Sequence, residues 1–112
     1  NKKMIIREFA AKSHKQGKLT RVWLEESTNN RWLSDHGFIR GEKYKLIQGD
    51  DSLTILLDCE GSKIVSGKDT RSLFDITKKR ENHVPCFYPD VPKTLIATIE
   101  VGKIVITCKE EN

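Results

Sequence analysis

A pattern in the first half of this chain recurs roughly fifty residues later, at its end. In the first copy, Arg21-Val22-Trp23-Leu24 reads as a strand, Asn30 to His36 as one or two helical turns, and Gly37 as their stop. Lys43 to Ile47 and Leu53 to Leu57 then form a hairpin across Gly49-Asp50-Asp51. The second copy runs through Leu73-Phe74-Asp75-Ile76 and an irregular stretch from Lys79 to Pro92. It closes with Thr94 to Val101 and Lys103 to Thr107 across Gly102. A short β-α-β-β unit cannot bury its apolar face alone, so the two copies are expected to close on each other. The expected fold is mainly β with some helix (α+β): a small closed barrel built from two β-α-β-β repeats. Repeat one covers about 18–58, a linker strand 59–71 and repeat two about 72–109, in a single domain 18–112 behind a basic arm 1–17. Such a barrel has little room for an active site and much surface for binding.

The 112 residues suffice for one domain with a modest core. With 37% apolar and 32% charged residues the chain reads as globular with a wet surface. No apolar run reaches membrane-spanning length and no signal-peptide pattern is present, so the expected location is cytoplasmic, without a membrane partner. The three cysteines, Cys59, Cys86 and Cys108, are widely spaced with no C-x-x-C pair, and read as buried or half-buried thiols.

Charge is distributed unevenly. Lys2, Lys3, Arg7, Lys12, Lys15, Lys18 and Arg21 face only Glu8 over the first 21 residues, whereas the net charge of the whole chain is +4. A basic arm on a near-neutral body points to a polyanion partner, because Lys and Arg release counterions from phosphates. The competing reading is a solvated terminus that aids solubility. Lys63, Lys68, Arg71, Lys78, Lys79 and Arg80 make a second basic cluster, opposed within that stretch by Asp69 and Asp75. Met4 to Phe9 reads as a short strand or the start of a helix, 13–18 as a loop, and Lys63-Ile64-Val65 as a strand of its own. Pro85, Pro89 and Pro92 leave room for one helical turn at most in the second copy.

The run Arg31-Trp32-Leu33-Ser34-Asp35-His36-Gly37-Phe38-Ile39-Arg40-Gly41-Glu42-Lys43-Tyr44 resembles the core of SymE-type proteins: a W-L helix, G-F, a further glycine and an apolar hairpin. Thr94 to Ile106 resembles the closing hairpin of the same unit, and the layout as a whole is similar to the AbrB-type regulators. The resemblance covers residues 20–57 well and 72–107 more loosely. It implies a DNA-binding β-barrel, with the two copies supplying what AbrB-type dimers make by swapping hairpins. The three prolines depart from the family helix, so the resemblance lends the second copy no DNA-contacting helix. Lys63 to Lys68 followed by Phe74-Asp75-Ile76 is also similar to amino-terminal accessory segments of DNA cytosine methyltransferases.

Motifs for chemistry are missing. The chain has no Walker loop, dinucleotide fingerprint, H-E-x-x-H or G-x-S-x-G. Ser66-Gly67-Lys68 lacks the upstream glycine of a phosphate loop. His14, His36 and His83 are scattered, so no triad, metal site or cofactor is expected; His36 reads as the last residue of the short helix. Asp50-Asp51 reads as a hairpin tip.

The candidate nucleic-acid-binding residues are Lys12 and Lys15 on the basic arm, Lys18 just after it, Arg21, Arg31 and Arg40 on one unit, and Lys68, Arg71, Lys78, Lys79 and Arg80 on the equivalent rim of the other. If the repeats are related by a pseudo-twofold axis, the rim sets of the two units form one basic face suited to phosphates and base edges; the plain alternative is solvated rim charge. Trp23 and Trp32 read as core anchors rather than base-stacking platforms. The expected function is a non-enzymatic double-stranded DNA-binding module, a small regulator or a recognition domain of a restriction or methylation protein, monomeric or homodimeric. The alternatives are a SymE-like toxin acting on RNA and a protein-interaction or oligomerisation module.

Overall fold

Apolar residues alternate along most segments of this chain, and alternation produces strands with one buried face. The computed structural model describes residues 3–10, 12–13, 20–77 and 94–109, with the backbone alone for 12, 13, 20, 21 and 77. The strands are β1 Ile5–Ala10, β2 Lys12–Ser13, β3 Thr20–Glu25, β4 Lys43–Gln48 and β5 Ser52–Leu57. They continue with β6 Lys63–Ile64, β7 Ser66–Lys68, β8 Arg71–Thr77, β9 Thr94–Glu100 and β10 Lys103–Cys108. All pairings are antiparallel.

No α-helix forms among the described residues. The helix expected over 30–36 is a single 3-10 turn, Ser34–His36, ended by Gly37 in the left-handed region at φ 92°. A lone turn gains few backbone hydrogen bonds, and this one is held instead by tertiary contacts of its neighbours. Trp32, Leu33 and Phe38 are all buried.

The strands form a six-stranded sheet in the order β1-β9-β10-β5-β4-β6 and a four-stranded sheet in the order β2-β3-β8-β7. Both orders read the same in either direction once each element of the first half is exchanged for its partner in the second. β1 and β2 correspond to β6 and β7, and β3, β4 and β5 to β8, β9 and β10. Burial follows this equivalence: Val22 and Leu24 face the core as Phe74 and Ile76 do, and Leu53 and Ile55 as Ile104 and Ile106 do. The repeat is therefore longer than the sequence pattern implied, because the segment read as a basic arm supplies β1 and β2, the counterparts of the linker strands.

The closed barrel is not what forms. Among the described residues neither sheet closes on itself; the chain passes from the larger sheet to the smaller between β1 and β2 and again between β6 and β7, and returns between β3 and β4 and between β8 and β9. At the second passage, Val65 leaves both strand ladders. Its N–H donates to Glu42 O (2.9 Å) and its carbonyl accepts from Gly41 N (3.0 Å), so turn backbone takes the bonds a continuous barrel ladder would need.

One core lies between the sheets. Val22, Leu24, Phe74 and Ile76 from the smaller sheet meet Tyr44, Leu53, Ile55, Leu95, Ile99, Ile104 and Ile106 from the larger. Phe74 packs edge-on against Phe38 (ring centroids 5.6 Å apart) and against Tyr44 (5.1 Å). Backbone bonds tie the halves together as well: Gly102 N donates to His36 O (2.8 Å), and Leu57 N donates to Gly102 O (2.9 Å).

The turn after β5 is closely fitted. Asp58 accepts from Glu60 N (2.9 Å) and pairs with Lys45 Nζ (3.2 Å); these donors hold its carboxyl below the ordinary carboxylate range. A Cβ on Gly61 would overlap the Tyr44 carbonyl. Gly61→Ala is therefore expected to cost about 1–3 kcal/mol, readable as a lower midpoint in urea denaturation, since backbone rather than a flexible side chain must move.

Candidate nucleic-acid interface

Alternation divides β3 and β8 into an inward and an outward row. On β3, Val22 and Leu24 point into the core, whereas half-buried Trp23 and Glu25 lie on the outer face. On β8, Ser72, Phe74 and Ile76 point inward, leaving Arg71, Leu73 and Asp75 outside. β7 adds Lys68, whose Cα partner across the ladder is Arg71. Two like charges placed opposite each other weaken a strand pair, and this pair closes the tight turn at Asp69, which has φ 59°.

Two arginines from the other half converge on that turn. Arg31 donates from Nη1 to Thr70 O (2.6 Å) and from Nη2 to Thr70 Oγ1 (2.7 Å). Arg40 donates from Nη1 to the Asp69 carbonyl. Its methylenes lie against Gly67, where a Cβ would overlap Arg40 Cδ. Gly67 thus makes room for an arginine in a strand, not a phosphate loop.

Three carboxylates accompany these four cations. Glu25 Oε2 lies 3.4 Å from Arg71 Nη2, and Asp69 Oδ2 lies 4.0 Å from the same atom. Glu26 Oε2 lies 3.9 Å from Arg31 Nη1. The carbonyl and hydroxyl partners of Arg31 and Arg40 neutralise no charge, and Lys68 is exposed. Arg71 Nε is buried with no hydrogen-bond partner.

Glu26, 1% exposed, is the brace beneath this cluster. Its Oε1 accepts from Leu33 N (3.2 Å) and Ser34 N (2.8 Å), and its Oε2 from Ser34 Oγ (2.6 Å) and Ser72 N (2.9 Å). One carboxylate therefore joins β3, the 3-10 turn and β8, and fixes the loop that carries Arg31. The sequence reading missed it, although continuing the inward row Val22-Leu24 by two residues reaches Glu26.

Beside the cluster lies an open cleft of about 280 Å³ between β1 and β3, lined by Arg7, Glu8 and Phe9 on one side and Trp23, Leu24 and Glu25 on the other, with Trp32 at its base. The Arg7 guanidinium sits 4.4 Å from the centre of the Trp32 ring. Trp23 Nε1 donates to Glu25 Oε1 (3.4 Å), so Glu25 bridges the cleft and Arg71. Glu8 is met by Lys109 Nζ at 2.9 Å. Of the two tryptophans read as core anchors, only Trp32 is one; Trp23 lies on the outer row.

The other expectations sort as follows. Lys12 and Arg21 are Cα partners in the β2–β3 ladder. Lys15, Lys18, Lys78, Lys79 and Arg80 lie outside the described residues, as do His14, His83 and Cys86. His36 does end the short turn, but it is buried. Its Nδ1 lies 2.7 Å from Trp32 O and its Nε2 2.9 Å from Lys3 O. Cys59 is exposed, contrary to expectation; Cys108 is half-buried, and burial pushes its thiol up. Asp50 and Asp51 occupy the exposed β4–β5 turn. Among the described residues no group of His, Cys, Asp or Glu is placed to hold a metal ion, and no helix is long and apolar enough to cross a membrane.

Comparison with protein-family models, curated proteins and solved structures returns no match to this chain.

Proposed function

We propose that the protein is a double-stranded DNA-binding module, a small regulator or the recognition domain of a restriction or methylation protein. The observation that supports this most is the gathering of Arg31, Arg40, Lys68 and Arg71 from both repeats onto one turn, with Lys68 and Arg71 directly opposed. A like-charge pair that weakens its own ladder is locally unfavourable, and such conflicts mark functional positions. A phosphate group beside the turn would offset the repulsion and accept from the outward guanidinium edges. On this reading the palindromic strand order is a single-chain version of the AbrB/SymE-type arrangement, with two open sheets packed face to face in place of a closed barrel.

Binding to a fluorescent duplex is expected to weaken steeply between 50 and 200 mM salt, the slope reporting the number of phosphates neutralised. Arg40→Ala and Lys68→Ala should each weaken binding alike across unrelated sequences and reduce the salt slope by about 1. Anisotropy titrations check this, and affinity independent of salt would sink the proposal.

A further inference from the structure

The four-stranded sheet carries a second pair of opposed cations besides the one at the cationic turn. Lys12 of β2 is the Cα partner of Arg21 in β3, as Lys68 of β7 is of Arg71 in β8. We propose that the two Lys and Arg pairs form a two-cornered clamp on duplex DNA, each corner holding phosphates of a different strand with one groove between them. The inference rests on the nucleic-acid reading above and adds how the duplex is held: by one chain, across both of its strands.

The strand register carries it. Arg21 is the Cα partner of Thr77 at one end of the β3–β8 ladder, and Arg71 lies six residues before Thr77 on β8. At about 3.4 Å per residue the pairs are separated by about 20 Å along the strands. The order β2-β3-β8-β7 puts Lys12 and Lys68 on opposite outer strands, so the pairs occupy diagonal corners of the sheet. Those corners are equivalent. Leu24 is the Cα partner of Phe74, and a twofold axis through that pair carries Arg21 onto Arg71, Trp23 onto Leu73 and Glu25 onto Asp75. Each strand thus repeats one order at every second position: an arginine, an apolar residue, an acid.

Symmetry of this kind selects two strands. The strands of a duplex are antiparallel, so the backbones flanking a groove present the same polarity to two corners related by a twofold. A single strand passing both corners would present opposite polarities. Spacing agrees: the major groove is about 12 Å wide, and Cα positions about 20 Å apart leave room on each flank for a lysine or arginine to reach a phosphate. Glu25 and Asp75, set between the corners, then lie over the groove, where a duplex offers base edges rather than phosphates. The corners differ in strength, since Arg31 and Arg40 reinforce the one at Asp69 and Thr70.

The test compares a short duplex with the same duplex in which every phosphate of one strand, or of the other, is replaced by a neutral methylphosphonate, by anisotropy over a range of salt concentrations. With one strand neutral, the stronger corner takes the charged strand and the corner of Lys12 and Arg21 is left without phosphates. The salt slope of the wild-type protein is therefore expected to fall by about 2, whichever strand is neutral. Lys12→Ala should lower the slope by about 1 on the charged duplex and leave it unchanged on both half-neutral duplexes, whereas Lys68→Ala should lower it on all three. That dependence on the probe separates a lost phosphate contact from a lost fold, which would weaken every probe alike. A wild-type slope unchanged by neutralising either strand puts all contacts on one strand, and overturns the clamp while leaving DNA binding intact. So does a Lys12→Ala slope that falls equally on every probe, or on none. No binding to the charged duplex overturns this inference together with the nucleic-acid reading.

Discussion

Replacing Glu26 by alanine is expected to lower the folding stability by about 3–5 kcal/mol, the range for a buried charge removed from its partners. The cost comes from the donors left behind. Leu33 N, Ser34 N, Ser34 Oγ and Ser72 N all terminate on this carboxylate, and the site is closed to water. Each buried donor without an acceptor costs on the order of 1–3 kcal/mol, with partial relief as the loop relaxes. Glu26→Gln keeps the shape and one acceptor oxygen but turns an NH₂ group toward two of the same donors, so its loss should be smaller yet still measurable. Urea denaturation of the two variants checks the order. Because the loop fixed by Glu26 carries Arg31, both variants should also bind duplex DNA more weakly under conditions where they remain folded. A Glu26→Ala variant within 1 kcal/mol of wild type would contradict the brace.

Phe74→Ala is expected to cost about 3–5 kcal/mol, as for other fully buried aromatic residues. The ring is 1% exposed at the centre of the core and meets Phe38 and Tyr44 edge-on. Those edge contacts add about 0.5–1.5 kcal/mol each beyond the buried area. Tyr44, whose hydroxyl burial pushes its pKa up, would lose the ring that shields it. The effect has a direction along the chain. Phe74 comes from repeat two, and both of its aromatic partners come from repeat one, so the cavity opens at the junction of the halves. Thermal unfolding should therefore remain one cooperative transition at a lower midpoint; two separate transitions would show that the halves are independent.

Much of this architecture is legible in the residues. Alternation placed β3, β4, β5, β8, β9 and β10 within a residue or two of their ends, because each carries β-branched or aromatic residues on one face and is bounded by turn formers. β1 and β2 were harder to see as half of the repeat. Their counterparts, β6 and β7, are only two and three residues long, too short for a periodic signal. The expected helix failed for a related reason: Ser27, Asn30 and Ser34 are good caps, but Glu26 and Ser27 take up the bonds that would have started it. Arg31 and Arg40 meet Lys68 and Arg71 at one turn, a convergence that depends on contacts distant in the chain, and the face they form is shared with Glu25 and Asp69 rather than purely basic. The burial of His36 rests on the Lys3 carbonyl, far away in the chain, and no local pattern encodes it.

The mutual pairing of the two halves has one more consequence. β3 meets β8 and β5 meets β10, so each half, taken alone, would expose open strand edges that only the other half covers. Two such halves on separate chains would fall apart on dilution and stick to other edges when crowded. Carried on one chain, each is held at a high local concentration beside its mate whatever the amount of protein present. The cationic turn proposed as the binding surface, which draws Arg31 and Arg40 from one half and Lys68 and Arg71 from the other, is then assembled in every folded molecule, even when the protein is scarce.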